Sequence, residues 1–484
     1  MKWGTWPLLL LAGWGQALAL AWPFGAFGFL QRGEPSALLQ GLSLVFLLLV
    51  LRRAPSARAA AGRAWVFATA WLAGTFGWLF VSMHVYGGLP AVLAVLAVLA
   101  LAAFLGSYYA LMSGLFWRWR LQAAWVQALA FGALWSLAEW ARGTWFTGFP
   151  WGAGGYALLD SQAWLAPWVG VYGMGALSAA LAAGVVASVP GRGQNWAQRW
   201  PAALAFGMLA GLCWMPWLNA VLQPGNDHLT RSTGRFEVAL LQGNIAQDEK
   251  FQLGTGVQQA LDWYRAAIEE SVSAAQAPDL VVAPETAVPL LPQDLDPDYW
   301  SGLLGTIQSG GSAVMLGLPL GNWDDGFTNS VATWTPGALD MQRYDKHHLV
   351  PFGEFIPPLF RWFTNLMNIP LGDFNRGAAV QQPLAWAGQR WAPNICYEDL
   401  FGEELAASFV SGSAPTVLVN LSNIAWFGDS VAIDQHRHIS RLRSLELQRP
   451  MLRATNTGAT AVIDHRGHVT DELPRLSRGV LRAS

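Results

Sequence analysis

Between Ala64 and Trp117 the chain carries no Asp, Glu, Lys or Arg. A helical bilayer crossing takes about 20 apolar residues, so this run is too long for one span. Gly87-Gly88-Leu89-Pro90 divides it in two. The same reading elsewhere gives seven candidate spans, near residues 5–22, 35–51, 64–85, 91–115, 122–140, 163–189 and 201–221. The first also has the form of a signal peptide, with Lys2, an apolar run and small residues at Ala17, Ala19 and Ala21. We read it as an uncleaved anchor, because the later spans hold the protein in the membrane either way.

Charge separates the chain into two parts. Up to Gly225 the only acidic residues are Glu34, Glu139 and Asp160, whereas the rest has an ordinary globular density of Asp and Glu. A boundary near 220–235 is expected, with a polytopic transmembrane domain over 1–225 and a second domain over 235–475. Net charge is −2, and no basic block interrupts the second part, so nothing points to nucleic acid.

Lys and Arg flank the cytoplasmic ends of spans. Arg52, Arg53, Arg58 and Arg63 share one loop, Arg118 and Arg120 the next alternate loop, Arg192 and Arg199 the one after, and Lys2 precedes the first span. The opposite loops hold Arg32 and Arg142. Seven spans starting inside end outside. Everything after about residue 222 should therefore face the periplasm or its equivalent.

The second part alternates short apolar runs with helix-like stretches. Strands are expected at Val238 to Gln242, Leu280 to Ala283, Val314 to Leu318, Ser330 to Trp334 and Val417 to Asn420, and helices at Val257 to Ala275 and Gln435 to Pro450. That pattern makes an α/β or α+β domain.

Three ionisable residues stand in strand-end or loop segments. Glu285 follows LVVAP, Lys346 lies in RYDKHHLVPFGEFIP, and Cys396 opens CYEDLF. The chain's other cysteine, Cys213, sits in an apolar segment, which argues against a disulfide framework. A thiol, a carboxylate and an ammonium suffice for acyl transfer: the thiol attacks a carbonyl, the carboxylate moves the proton, and the ammonium stabilises the oxyanion. Taken by itself, Cys396 is equally compatible with a packed core cysteine. His347 with His348, and His436 with His438, lack the i, i+4 spacing of a zinc pair, so no metal is expected. Glu139 is read as an interfacial residue facing Arg142.

At these positions the sequence resembles the nitrilase superfamily, and more narrowly the apolipoprotein N-acyltransferase family. The ordered strings are ARGTWFTGFPWG at 141–152, LLQGNI at 240–245, APET at 283–286, DKHHLVPFGEFIP at 345–357, CYEDLF at 396–401, VNLSNIAWFGD at 419–429 and RPMLRATNTG at 449–458. The resemblance implies a transmembrane bundle of about seven helices joined to an αββα sandwich. It implies Cys396 as nucleophile, Glu285 as general base and Lys346 as oxyanion stabiliser, with Glu354, Tyr397 and Glu398 in support. The implied donor is a membrane phospholipid such as phosphatidylethanolamine. The implied acceptor is the α-amino group of an apolipoprotein's S-diacylglyceryl cysteine. A monomeric multi-pass protein of the bacterial inner membrane, without cofactor or metal, is expected. The alternative is a membrane-tethered amidase with water as acceptor.

Both substrates carry acyl chains, so an apolar entrance is required. Trp145, Phe146, Phe149 and Trp151 lie in a predicted outside loop and suit it, although an interfacial aromatic belt would look the same. Trp426 and Phe427, before Gly428, suit a mobile lid. The sequence departs from the family pattern at Phe251 (usually Trp), His347 (commonly Arg) and Ile424 (usually Asp). The family ordinarily ends in a further transmembrane helix, whereas only polar sequence follows Val469 here.

Overall fold

The computed structural model describes all residues except 1–4, 120, 190–195, 249, 251–254, 339, 358–373, 411 and 413. Lys2, Arg120, Arg192 and Phe251, named above, lie outside the described residues. The chain forms two compact units, one of residues 1–80 and 90–229, the other of 81–89 and 230–484.

The first unit is helical. Helices occupy Thr5–Leu18, Ala37–Arg52, Ala57–Thr75, Ala91–Trp119, Ala124–Thr144, Ala166–Ser188 and Trp196–Trp214. Ser36 and Ser56 cap the second and third, each accepting a backbone N–H three residues on. Along Ala91–Trp119, Ala94, Val98, Ala102 and Leu105 form a buried stripe, while Val92, Leu93, Val95, Leu96 and Leu99 are exposed. Ala94 and Ala102 allow close packing on the inner face, and the large apolar side chains outside suit a lipid-facing helix.

Each of the seven predicted spans contains helix, but the described helices support fewer crossings. Ala91–Trp119 and Gly154–Ser188 are long and apolar enough, and two bent pairs, Ala57–Thr75 with Leu79–Tyr86 and Trp200–Trp214 with Trp217–Asn226, raise the total to at most four. Length is one reason. Thr5–Leu18 and Ala37–Arg52 have 14 and 16 residues, and at about 1.5 Å rise per residue both fall short of a hydrocarbon core of about 30 Å.

Glu139 packs inside the helical unit. It is fully buried, and its Oε1 accepts from Gly154 N at 2.7 Å and Trp135 Nε1 at 3.2 Å. Arg142 is equally buried and donates to the carbonyls of Phe149 and Trp151, each at 2.8 Å. Desolvating these charges is costly without such partners, so they tie the 148–154 loop to the helices.

Among the described residues the second unit holds two six-stranded sheets. One runs in the order β12-β1-β2-β3-β4-β5 and the other β11-β10-β9-β8-β7-β6, with β1 at Val238–Gln242, β2 at Leu280–Ala283, β3 at Ala313–Asn322, β4 at Gly326–Trp334, β5 at Gln342–Asp345, β6 at Leu384–Trp386, β7 at Gln389–Ile395, β8 at Val417–Ser422, β9 at Met451–Thr455, β10 at Ala461–Ile463, β11 at Val469–Glu472 and β12 at Gly479–Ala483. Each sheet has a parallel central trio, β1-β2-β3 or β7-β8-β9, flanked by antiparallel strands.

Side chains alternate along β1. Val238 and Leu240 pack with Ile395, Val419 and Leu421 of the opposing sheet. Ala239 and Leu241 pack the other way, with Tyr264 and Ile268 of helix Gly256–Val272 and Leu303 and Ile307 of Pro297–Ser309. Period-two alternation with both faces covered gives the αββα sandwich. Strand β12 pairs with β1, so the polar end of the chain completes the first sheet beyond residue 475.

Candidate active site

Glu285 stands two residues after β2, Lys346 directly after β5 and Cys396 directly after β7. Lys346 Nζ donates to Glu285 Oε1 at 3.2 Å and to Glu354 Oε1 at 2.9 Å. Asn329 Nδ2 donates to the same two oxygens, at 2.7 and 2.8 Å. Glu285 Oε2 accepts the backbone N–H of Asn423 at 2.8 Å, and Glu354 Oε2 that of Val350 at 2.8 Å. All four of these side chains are buried.

Cys396 is partly buried and unbridged. Its φ of +52° is a left-handed conformation that side-chain-bearing residues rarely adopt, and it marks a sharp turn from strand into a 3-10 segment, Cys396–Leu400. Burial pushes the thiol up and Glu285 adds to that, while Lys346 pulls it back. The thiol therefore rests protonated and needs a base. Burial draws Lys346 down, but Glu285 and Glu354 outweigh it and hold the ammonium above the usual lysine range. Carboxylate and ammonium are thus bonded to each other, and both act electrostatically on the thiol.

Glu398 joins two of these loops. Its Oε1 accepts from His347 N at 2.7 Å and His348 N at 3.1 Å, and its Oε2 from Ile395 N at 2.7 Å and Tyr344 Oη at 2.9 Å. Burial raises its carboxyl against the opposing pull of those hydrogen bonds and Lys346. Tyr397 packs its buried ring edge-on to Phe401.

Trp426 and Phe427 occupy the 3-10 turn Ile424–Phe427, half-buried, and Trp426 meets Tyr86 edge-on at 5.9 Å. Ile424 is fully buried with Ile433 and Ala459, beside Cys396 and Phe427, so an apolar residue fits where the family pattern has Asp. His347 Nδ1 bonds Gly377 O at 2.8 Å. In the helical unit, Trp145 and Phe146 are 54% and 79% exposed. Phe149 packs on Phe76, and Trp151 is buried against Trp78.

Sequence reasoning missed Lys250, Asn329, Asn423 and Gln247. Lys250 is fully buried, with Nζ donating to Thr286 Oγ1 at 2.7 Å and Glu285 O at 3.2 Å. Gln247 Oε1 accepts from Asn423 Nδ2 at 2.8 Å. The available signal was Asn329 within the buried strand β4; Lys250 lies in the polar stretch AQDEK and gives none.

Residues 17–184 match the apolipoprotein N-acyltransferase N-terminal domain, and residues 237–484 match the carbon-nitrogen hydrolase family. The apolipoprotein N-acyltransferase of Verminephrobacter eiseniae is 54% identical over 483 residues, spanning 98% of this chain and 88% of that protein. Those of Ralstonia nicotianae and Bordetella bronchiseptica are 46% and 40% identical, covering 92% and 89% of this chain and 83% of each relative. With both halves matched in order and identity sustained over nearly its whole length, the chain belongs to the apolipoprotein N-acyltransferase family.

Proposed function

We propose that this acyltransferase works by two displacements at Cys396. Glu285 removes the thiol proton, and the thiolate attacks the ester carbonyl of a membrane phospholipid such as phosphatidylethanolamine. Lys346 stabilises the oxyanion of the tetrahedral intermediate. Collapse breaks the ester C–O bond, Glu285 returns its proton to the leaving lysophospholipid alkoxide, and a thioester remains. The α-amino group of an S-diacylglyceryl cysteine then attacks the thioester carbon. Glu285 takes the amine proton, the C–S bond breaks, and the thiol is restored as the amide forms.

The observation that carries this reading is the buried Glu285–Lys346 ion pair, both members of which act electrostatically on the Cys396 thiol. The thiol needs the adjacent base, and the intermediates need the adjacent cation. Glu354 and Glu398 hold these groups in register. The exposed Trp145 and Phe146, and the half-buried Trp426 and Phe427, supply apolar surface suited to acyl chains.

The test is incubation with phosphatidylethanolamine alone, followed by intact-mass measurement. An acyl adduct cleaved by neutral hydroxylamine, and lost in Cys396→Ala, is expected. No adduct on the wild type overturns the reading, and free fatty acid released without acylation of an added lipopeptide amine would establish the amidase alternative.

The domain limits belonging to this reading are a membrane part over 1–225 and a catalytic part over 235–475. We assign the catalytic part to the periplasmic face of the bacterial inner membrane, on the strength of the four arginines between residues 52 and 63. Ser232 is exposed. A cysteine placed there, in a chain lacking Cys213 and Cys396, should react with an impermeant maleimide added to intact spheroplasts.

A further inference from the structure

Around the Cys396 carbonyl lies a fully buried polar cluster. It comprises Asp399, Asn420, His436, Ser440 and Arg453, all 0% exposed. His436 and Ser440 come from helix Ala432–Leu447, Asn420 from β8 and Arg453 from β9. None of these residues is needed as an acid, base or oxyanion partner in the displacements above.

The cluster converges on one atom. The Cys396 carbonyl oxygen lies 3.3 Å from Asn420 Nδ2 and 3.3 Å from His436 Nε2. Asn420 Nδ2 donates there and to Asn394 Oδ1 at 2.7 Å. The other side of the imidazole decides what Nε2 does. Arg453 Nη2 lies 2.7 Å from His436 Nδ1. A guanidinium has donors and no acceptor, so Nδ1 must accept and cannot carry a proton. The ring is then neutral, with its one proton on Nε2. That N–H points at Asp399 Oδ1, 3.0 Å away, and at the Cys396 carbonyl, both of which are acceptors.

The remaining bonds hold Arg453 in place. Arg453 Nη1 donates to Ser440 Oγ at 2.7 Å and to Asn420 Oδ1 at 3.2 Å, and Nε donates to Ala459 O at 3.1 Å. Ser440 Oγ donates onward to Asp399 Oδ2 at 2.6 Å, which also lies 3.5 Å from Arg453 Nη1. Burial and the Arg453 charge both press His436 toward its neutral form, against Asp399.

Cys396 holds a φ of +52°, a conformation costing about 1 kcal/mol or more for a residue with a side chain. We infer that Arg453 locks His436 as the Nε2–H tautomer, that this N–H and the Asn420 amide together pin the Cys396 carbonyl, and that His436 is thereby a positioning residue for the thioester-forming step. The inference rests on Cys396 being the nucleophile. Without the imidazole donor, the 396–397 peptide relaxes and carries Sγ off its line of attack.

Two measurements test it. In the first, full-length protein labelled with 15N-histidine is examined in detergent micelles, with Arg453→Met and His436→Gln used for assignment. The expected result is a neutral Nε2–H signature for His436 from mildly acidic to mildly alkaline pH. A cationic ring or the Nδ1–H tautomer overturns the proposal, and this readout needs no turnover. In the second, single-turnover acylation by phosphatidylethanolamine is compared in wild type, His436→Met and His436→Gln. A reacting atom misplaced by about 1 Å costs about 100-fold. His436→Met should therefore lose about 100-fold in acylation rate with the half-saturating lipid concentration unchanged, and His436→Gln, which restores a donor near Nε2, should recover most of it. Wild-type rate in His436→Met, or no recovery in His436→Gln, overturns the positioning role. If His436→Met does not fold, the tautomer decides. A wild type that forms no thioester would refute the Cys396 reading instead, leaving the tautomer measurement intact.

Discussion

Lys346 makes its shorter hydrogen bond to Glu354, at 2.9 Å, and its longer one to Glu285, at 3.2 Å. Asn329 spans the same two carboxylates from one nitrogen. Glu354 therefore shares the lysine and leaves Glu285 less tightly paired than a simple ion pair would be. Glu354→Gln removes that competing charge. The expected effect is a fall in acylation rate of about 10²- to 10⁴-fold, the range for a misadjusted general base, with the protein still folded. Intact-mass kinetics beside a thermal melt would check it, and a near-wild-type rate would count against this division of labour.

Lys250 gives a pH prediction. Burial pulls its amine down to about 7, with Glu285 and Cys396 pulling the other way. In the unfolded chain a lysine titrates near about 10.4, so between these values the unfolded state holds a proton the native state lacks. The lysine's contribution to stability should therefore rise with pH across that window, and its burial should cost most below about pH 7. Lys250→Met removes the titration. Its Tm relative to wild type should be highest at the acid end of the window and decline toward the alkaline end. A difference independent of pH would show that Lys250 does not titrate there.

Glu398 accepts three backbone N–H groups and the Tyr344 hydroxyl. Glu398→Gln places an NH2 group among those donors and leaves at least one buried donor unpaired. A loss of about 2–3 kcal/mol is expected, the magnitude for hydrogen bonds to a charged buried group. Because the bonded amides flank both Lys346 and Cys396, adduct formation should fall together with the denaturation midpoint. Loss of one without the other would separate the two roles.

Trp426 meets Tyr86 at the end of a turn that closes on Gly428, whose φ is +59°. If this aromatic pair serves lipid rather than the chemistry, Trp426→Ala should raise the half-saturating phospholipid concentration severalfold. Alkylation of Cys396 by a small neutral reagent should stay within about twofold, since surface changes outside the reacting groups are usually small. Equal changes in both would point to a structural role.

Of the central parallel strands, β1, β2, β3 and β8 were legible because strands covered on both faces are continuous apolar runs, whereas β9, Met451–Thr455, with Arg453 in its middle, was not. Val238–Gln242 and Leu280–Ala283 coincide with expectation to the residue. Gln342–Asp345, Leu384–Trp386 and Gln389–Ile395 were missed. The first two lie at sheet edges and mix polar with apolar residues, and the third contains Pro393, which argues against a strand on sight. Glu285 was legible because it follows an apolar strand run, and Lys346 because it lies in the string DKHHLVPFGEFIP. His436 and Arg453 were not: their pairing is a contact between a helix and a strand 17 residues apart, for which no periodicity exists. By length and composition the described helices account for two to four of the seven expected crossings, and helix Thr5–Leu18 stops well short of residue 22.

Residues 81–89 group with the sandwich although their neighbours on either side, to residue 80 and from 90, group with the helices. The sandwich is thus not a single uninterrupted stretch of chain. A fragment cut at residue 230 would leave nine of its own residues behind, including Tyr86, the aromatic neighbour of Trp426. Any exchange of the helical part for another would have to carry residues 81–89 over with the sandwich.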